Sequence, residues 1–390
     1  MKTTTTLIHG DHDDRWDRSV TPSIAQGANW ELPSAEVLAE VATEPLYPYM
    51  YSRKGNPNHE QVASIIAKLE GGDRALLMSS GMSAVSTLAL TLLRAGDHVV
   101  AQKSTYAGVS NLCRNVLPRL GIECTFVDQT ATANFETAIR DNTRLVLLET
   151  PSNPLLEITD LQAVSKIAHD AGAWVATDNT FATPLNQRPL ALGCDLSWHS
   201  CTKYMGGHSD LLAGAVVGSE ELIEKIWHTH EVNGGVLAPF NAWLLLRGLR
   251  TLSVRMARHN SNGMALATAL KTHPAVAAIN YPGLESHPGH LVAARQMKEF
   301  GGMLSFSLRG GFEAAAKFVT SLKYAHHASS LGHVGSLVIH PAAMWGAAMT
   351  KQDLDEAGVD PGLIRFSAGI EDEEDLVGDV LSVLDKIGDV

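Results

Sequence analysis

The chain has 390 residues, 45% of them hydrophobic, with 30 Lys and Arg against 42 Asp and Glu, a formal net charge of −12. At roughly 150 residues per domain, this length predicts two or three globular domains able to bury a large core. The acidic balance, with no basic run, excludes a nucleic-acid or anionic-membrane partner and leaves a small molecule as the expected one.

In chain order, the opening "MKTTTTLIHGDHDDRWDR" is polar and acidic, which predicts no signal peptide. No apolar run approaches the roughly 18 residues of a membrane span, so the expected location is cytoplasmic. The first seventy residues read as irregular, with "TPSIAQGANWELP" and "YPYMYSRKGNPNHE" rich in turn formers. Residues 1–60 are expected to form an arm that packs on a neighbouring subunit. From about Arg74 to Gly218, short β-rich runs ("HVVAQ", "ECTFVD", "RLVLLET", "WVATD", "LAGAVVG") alternate with helical patterns ("GMSAVSTLALTLLRAG", "DLQAVSKIAHDAG"). That alternation predicts an α/β large domain, residues 61–245, with a mostly parallel, helix-covered sheet. One long helical pattern, "APFNAWLLLRGLRTLSVRMARHNSNGMALATAL", leads into mixed strand and helix signals ("GGMLSFSLRG", "FEAAAKFVTSL", "LIRFSAGI", "EDEEDLVGDVLSVLDKI"). These predict a smaller C-terminal α/β domain, residues 246–390.

Cys113, Cys124, Cys194 and Cys201 form no CxxC pair, so they are expected to be reduced structural thiols. The 17 histidines include His326-His327 and His228-x-His230, but no carboxylates or cysteines accompany them at ligand spacing, so no metal site is expected.

Ligands of open parallel sheets bind beyond the carboxyl ends of the strands, which directs attention to polar residues just after the predicted strands. "SSGMSAV" puts a Ser-Ser-Gly turn ahead of a helix, where free N–H groups favour a phosphate, although Ser and Gly also make ordinary turns and caps. "LLETPSNP" carries Asn153, and "WVATDNTFATP" ends a strand with Asp178, each of which is also a common turn or cap residue. "SCTKYMGGHSD" leaves three readings for Lys203: surface charge, phosphate clamp or nucleophile. A desolvated amine loses affinity for its proton and forms Schiff bases with aldehydes. Ser200 and Thr202, read as alternating along an extended segment, then offer hydroxyls to a phosphate. A phosphate cradle, a lysine and an acid for a pyridine nitrogen together suit pyridoxal 5′-phosphate.

The ordered set "YSRKGNPN", "SSGMSAV", "ETPSNPL", "DNTFATP", "SCTKYMGGHSD", "PFNAWLLLRGLRTL" and "LIRFSAGIED" resembles the pyridoxal-phosphate-dependent Cys/Met metabolism family, over residues 50–375. That family includes cystathionine γ-synthase, the cystathionine γ- and β-lyases, methionine γ-lyase and the O-acylhomoserine sulfhydrylases. The resemblance implies the PLP-dependent transferase fold type I (aspartate-aminotransferase-like), with a seven-stranded sheet in the large domain, and a homotetramer of two tight dimers. It implies that Lys203 holds the cofactor and moves protons, that Asp178 pairs with the pyridine nitrogen and that Asn153 lies by the ring hydroxyl. It further implies that Gly81 and Met82 offer N–H groups to the phosphate beside Ser200 and Thr202, and that Tyr51 and Arg53 reach the phosphate of the neighbouring subunit. Tyr106 stacks on the ring and Arg365 takes the substrate carboxylate; Lys203, Tyr106 and Tyr51 are the catalytic candidates.

The resemblance weakens at the substrate-facing segments. Where γ-type cystathionine enzymes read "AESLGGVES", this chain has "ASSLGHVGS", with Ser329, His333 and Gly335 in place of Glu, Gly and Glu. "HPAAMWGAAM" carries Trp345 and Gly346 where Thr-His is common, "AQGANW" replaces a "YQTSTF"-like stretch, and Gly108 stands where methionine γ-lyases carry a cysteine. Ser329, Ser330, His333 and Trp345 are therefore candidate substrate-binding residues. The implied reaction is γ-elimination or γ-replacement on an O-acylhomoserine or sulfur amino acid, with an atypical substrate or nucleophile. A β-lyase acting on cystathionine or a cysteine conjugate is the alternative, ahead of an aminotransferase or a non-catalytic relic.

Overall fold

A computed structural model describes residues 1–346, 354 and 358–388; the last three residues of "HPAAMWGAAM" lie outside them. The N-terminal region departs from the irregular arm read from the sequence. It contains α1 (Thr3–His9), α2 (Ala35–Val41) and α3 (Pro57–Glu70). α3 starts at Asn56, whose side chain accepts from the Asn58 N–H, has Pro57 in its first turn and stops at Gly71, in the left-handed conformation (φ 80°) that favours glycine. The helical pattern is obscured because much of its buried surface is polar: Asn58, His59, Gln61 and Glu70 lie beside Val62, Ile65, Ile66 and Leu69. Leu7 of α1 is fully buried in the cluster formed by these residues, so the start of the expected arm packs on its own chain.

The large sheet follows as β1 (Arg74–Met78), β2 (His98–Gln102), β3 (Glu123–Val127), β4 (Thr143–Glu149), β5 (Trp174–Asp178), β6 (Leu196–Ser200) and β7 (Gly214–Gly218). Its order is β1-β7-β6-β5-β4-β2-β3. β7 runs antiparallel to both neighbours, and the strands from β6 to β3 are parallel. The helices interspersed with these strands are α4 (Gly81–Leu92), α5 (Ala107–Asn111), α6 (Thr132–Ala138), α7 (Leu161–Asp170) and α8 (Thr183–Asn186). The sheet is an apolar sandwich, with Leu76, Leu145, Leu147, Ala176, Trp198 and Val216 on one side packing beneath α4.

After α9 (Glu220–Asn233), the single long helix expected from the sequence is two helices, α10 (Pro239–Arg250) and α11 (Leu252–Lys271), broken at Thr251. Arg255 lies one turn into α11 and turns back to bond the Gly248 carbonyl at the end of α10, which fixes the corner. The C-terminal sheet contains β8 (Val276–Asn280), β9 (Met303–Leu308), β10 (His326–His327), β11 (Leu337–Ile339) and β12 (Leu363–Ser367), in the order β10-β11-β12-β9-β8. It is accompanied by α12 (His290–Gln296), α13 (Gly311–Ser321), α14 (Pro341–Gly346) and α15 (Glu373–Gly388). A separate apolar cluster, with Phe306, Phe318, Phe366 and Leu376 fully buried, holds this unit together. Among the described residues, no helix is long and apolar enough to cross a membrane, and no group of three or more His, Cys, Asp and Glu side chains is placed to hold a metal ion.

Candidate active site

The parallel order brings the carboxyl ends of β4, β5 and β6 side by side, so Glu149, Asp178 and Ser200 lie along one edge of the sheet. Lys203 follows β6 in a turn. Thr202 therefore does not continue an extended segment, as the sequence reading had it: its hydroxyl donates to the Ala213 carbonyl (3.3 Å) and accepts from the Ala213 N–H (3.1 Å). Thr202 pins the turn to the start of β7, while Ser200 is the hydroxyl that ends the strand. Apolar neighbours anchor the turn, since Cys201, Tyr204 and Met205 are buried. Arg255 adds a bond to the Tyr204 carbonyl at 2.6 Å.

Within this setting Lys203 is mostly withdrawn from water, and desolvation, with Arg365 nearby, lowers its amine to about 8 despite the opposing pull of Asp178. Its Nζ donates to Ser330 Oγ at 2.7 Å. Ser330 is held at φ 86°, a conformation that non-glycine residues rarely adopt. Its carbonyl accepts from Arg365 at 2.7 Å, and the other arm of the guanidinium donates to Asn153 Oδ1 at 3.0 Å. Arg365 comes from β12 in the smaller sheet, so the site is assembled from both sheets. It is 7% exposed, and desolvation lowers its pKa to about 10. A buried guanidinium whose partners are an amide and a carbonyl still has an uncompensated charge that favours an anion.

Burial raises the pKa of Asp178, against the Thr180 bonds and the charge of His199, and raises that of Glu149, against which Asp178 adds further repulsion. Glu149 ends β4 within "LLETPSNP", where the sequence alone gives it no site role. Its carboxylate accepts from the Tyr106 N–H (2.6 Å) and the Thr105 hydroxyl (2.9 Å), which fixes the entry to α5. Tyr106 is 47% exposed, which leaves its ring available for a flat partner. A Cβ at Gly108 would meet that ring at 2.6 Å and Met82 Sδ at 2.7 Å, so this position is kept small by the aromatic beside it.

At the other side, α4 presents its N-terminus: Ser80 caps it by accepting from the Ser83 N–H at 3.1 Å, leaving the N–H groups of Gly81 and Met82 without a helical acceptor. A Cβ on Gly81 would come within 2.8 Å of Ser200 Cβ, so glycine is what lets the helix end approach the end of β6. This close approach, with open N–H groups and an adjacent hydroxyl, suits a phosphate. Tyr51 and Arg53 are elsewhere on the surface: Arg53 donates to the Glu231 carbonyl at 2.9 Å and its guanidinium lies 5.4 Å from the Tyr51 ring centroid. A cavity of about 690 Å³ is lined by Thr202, Asn241, Ser329, Ser330 and His333, among others, and so reaches Ser330, the lysine's hydrogen-bond partner. His333 is held below its usual range by desolvation first and then by His208 and His326. Trp345 is half-buried in a separate apolar cluster with Leu155, Ala342 and Leu363, and is not among the lining residues of that cavity.

A desolvated lysine just past a strand end, an acid at the end of the neighbouring strand and a phosphate-ready helix terminus fit pyridoxal phosphate, and together with the sheet order they define a PLP-dependent enzyme of fold type I. The chain belongs to the Cys/Met metabolism PLP-dependent enzyme family, which matches residues 4–385. It is 45% identical over 342 residues to an L-methionine gamma-lyase of Fusobacterium nucleatum, covering 87% of both chains. It is 43% identical over 339 residues to a cystathionine beta-lyase of Lactococcus lactis, covering 87% of this chain and 89% of the relative. The crystal structure of cystathionine gamma synthase from Xanthomonas oryzae pv. oryzae, in complex with aminoacrylate and cysteine, superposes with a TM-score of 0.94 at 39% identity, covering 100% of this chain and 99% of that one. The chain is thus a pyridoxal-phosphate-dependent enzyme of the transsulfuration type, acting by elimination or replacement on an amino acid. Its similarity to proteins with three different reactions leaves the choice of substrate to the residues themselves.

Proposed function

We propose that the protein catalyses γ-elimination or γ-replacement on an O-acylhomoserine or sulfur amino acid. The single observation that carries this reading is the chain Lys203–Ser330–Arg365: a lowered amine and a buried guanidinium, with no carboxylate among its hydrogen-bond partners, held on the two polar groups of one residue. Arg365 binds the substrate carboxylate through its paired N–H groups, a geometry lysine does not supply. That fixes the substrate's Cα near Nζ of Lys203. The amine, at about 8, is neutral in a useful fraction of molecules near neutral pH, so Nζ takes and returns protons at Cα and the adjacent carbon. Ser330 Oγ orients Nζ when it is not engaged with substrate.

Pyridoxal phosphate, when bound, supplies an electron sink for the charge left at Cα. Asp178 is the acid for its ring nitrogen, Asn153 the neighbour of its ring hydroxyl, and Tyr106 the aromatic surface against its face. The N–H groups of Gly81 and Met82, with the Ser200 hydroxyl, take the phosphate, and Thr202 shapes that loop. Tyr51 and Arg53 serve the phosphate of a neighbouring subunit in a homo-oligomer built from tight dimers, which their exposure allows; Tyr51 is 43% exposed. Ser329 and His333 border the space for the distal part of the substrate. Trp345 acts on it indirectly, through the apolar cluster it shares with Leu155, two residues after Asn153.

The second reading is β-elimination from cystathionine or a cysteine conjugate, supported by the similarity to a cystathionine beta-lyase. Purified holoenzyme incubated with O-acetylhomoserine, O-succinylhomoserine, methionine and cystathionine, with and without an added thiol, separates the two. Release of 2-oxobutyrate, or of a γ-thioether when thiol is present, is the expected result. Pyruvate from cystathionine alone supports the β-reading instead.

A further inference from the structure

Glu70 at the end of α3 is 1% exposed and has no part in the roles above. One of its carboxylate oxygens, Oε1, accepts three hydrogen bonds, from Asn179 Nδ2 (2.8 Å), Ser197 Oγ (3.0 Å) and His199 Nε2 (2.5 Å). His199 is also fully buried, at 1% exposure. A carboxylate withdrawn from water this completely costs several kcal/mol unless strong donors meet it, so the three convergent donors constitute a built arrangement and not incidental packing.

Its location gives it a purpose. Asn179 follows Asp178 directly and is further fixed by bonds to the Gln187 carbonyl (2.9 Å) and by its N–H to the Trp198 carbonyl (3.0 Å). On the other side, Thr180 donates its N–H to Asp178 Oδ1 (2.9 Å) while its hydroxyl accepts from the Ser200 N–H (2.8 Å). Glu70 therefore bonds to β6 through Ser197 and His199 and to the end of β5 through Asn179, so one buried side chain clasps the strand that carries Asp178 to the strand that leads into Lys203.

We propose that Glu70 and His199 are positioning residues for Asp178, holding its carboxylate at a fixed place and orientation against the ring nitrogen of the cofactor. The inference rests on the reading that Asp178 is the partner of that nitrogen. In support, the Thr180 hydrogen bonds and, after them, the electrostatic influence of His199 oppose the rise that burial imposes on the Asp178 carboxyl, favouring the ionised form that such a partner requires.

The test compares two ligands on the protein after its cofactor has been stripped: pyridoxal phosphate and its 1-deaza analogue, in which C–H replaces the ring nitrogen. Affinities are measured for the unmodified chain, Glu70→Gln, His199→Gln and Asp178→Asn. The expected result is that Glu70→Gln and His199→Gln each reduce the preference for pyridoxal phosphate over the analogue at least tenfold, with analogue affinity changed less than twofold. If one variant does not fold, the other carries the test. Equal weakening of both ligands would show a packing role only and overturn the proposal, as would an unchanged preference. If Asp178→Asn also keeps the full preference, the Asp178 reading itself fails and the positioning role falls with it.

Discussion

Lys203 Nζ donates to Ser330 Oγ at 2.7 Å, joining the turn after β6 to the segment between β10 and β11. Ser330 occupies φ 86°, and its carbonyl is held by Arg365. A residue kept in a sparsely populated conformation stores on the order of 1–3 kcal/mol, supplied by its surroundings. Here the surroundings are the lysine and arginine of the site.

Ser330→Ala removes the hydroxyl and leaves the backbone constraint. Its expected effect is a fall in kcat of about ten- to a hundredfold, or about 1.4–2.7 kcal/mol in the barrier, with an unchanged circular dichroism spectrum. Steady-state kinetics on the preferred substrate measures it, and an unchanged kcat would remove the hydroxyl from the orientation of Lys203.

Arg365→Lys keeps a positive charge but loses the fork that meets both Asn153 Oδ1 and the Ser330 carbonyl. KM is expected to rise about a hundredfold or more, equivalent to about 2.7 kcal/mol of lost binding. An amino-acid amide, which lacks the carboxylate, should be affected far less than the amino acid.

Stability should fall on mild acidification. Burial is the first cause holding His59, His230 and His259 at about 4. Below about 6.5 the unfolded chain binds protons that these folded sites refuse. The stabilisation is therefore complete above about 6.5 and is lost as pH falls toward 4, at up to about 3 kcal/mol for each histidine. Urea midpoints between pH 7 and pH 4 give the slope, and His259→Gln should reduce it by about one proton.

Gly108→Cys places a side chain where the Tyr106 ring and Met82 now lie, so the ring must shift. The expected outcome is at least a fivefold loss of kcat/KM with unaltered phosphate affinity. Crystals of the variant would show the displaced ring.

The residues legible in the sequence were those whose chemistry is local. Asp178 and Lys203 each follow a short strand pattern, and both lie at the carboxyl edge of the sheet, as that position implied. The start of α4 at Gly81 was legible because a Ser-Ser-Gly turn opens a helix. Glu70 and His199 were not, because their meaning arises from contact between positions 129 residues apart. The same pair gives β6 a polar inner face: in "LSWHS", Leu196 and Trp198 face an apolar cluster, while Ser197 and His199 turn toward Glu70, so both faces are buried but one is polar. α3 was obscured in the same way by its buried Asn58, His59 and Gln61. The corner at Thr251 left no sequence signal because apolar residues continue on both sides; Arg255 supplies it from one turn further on.

The most direct measurement is reduction of the purified holoenzyme with borohydride, followed by proteolysis and mass spectrometry of the lysine-containing peptides. The expected result is one phosphopyridoxyl group, on Lys203 alone, with Lys203→Ala carrying none. A modification on a different lysine, or a Lys203→Ala protein that keeps both the label and turnover, would contradict the assignment.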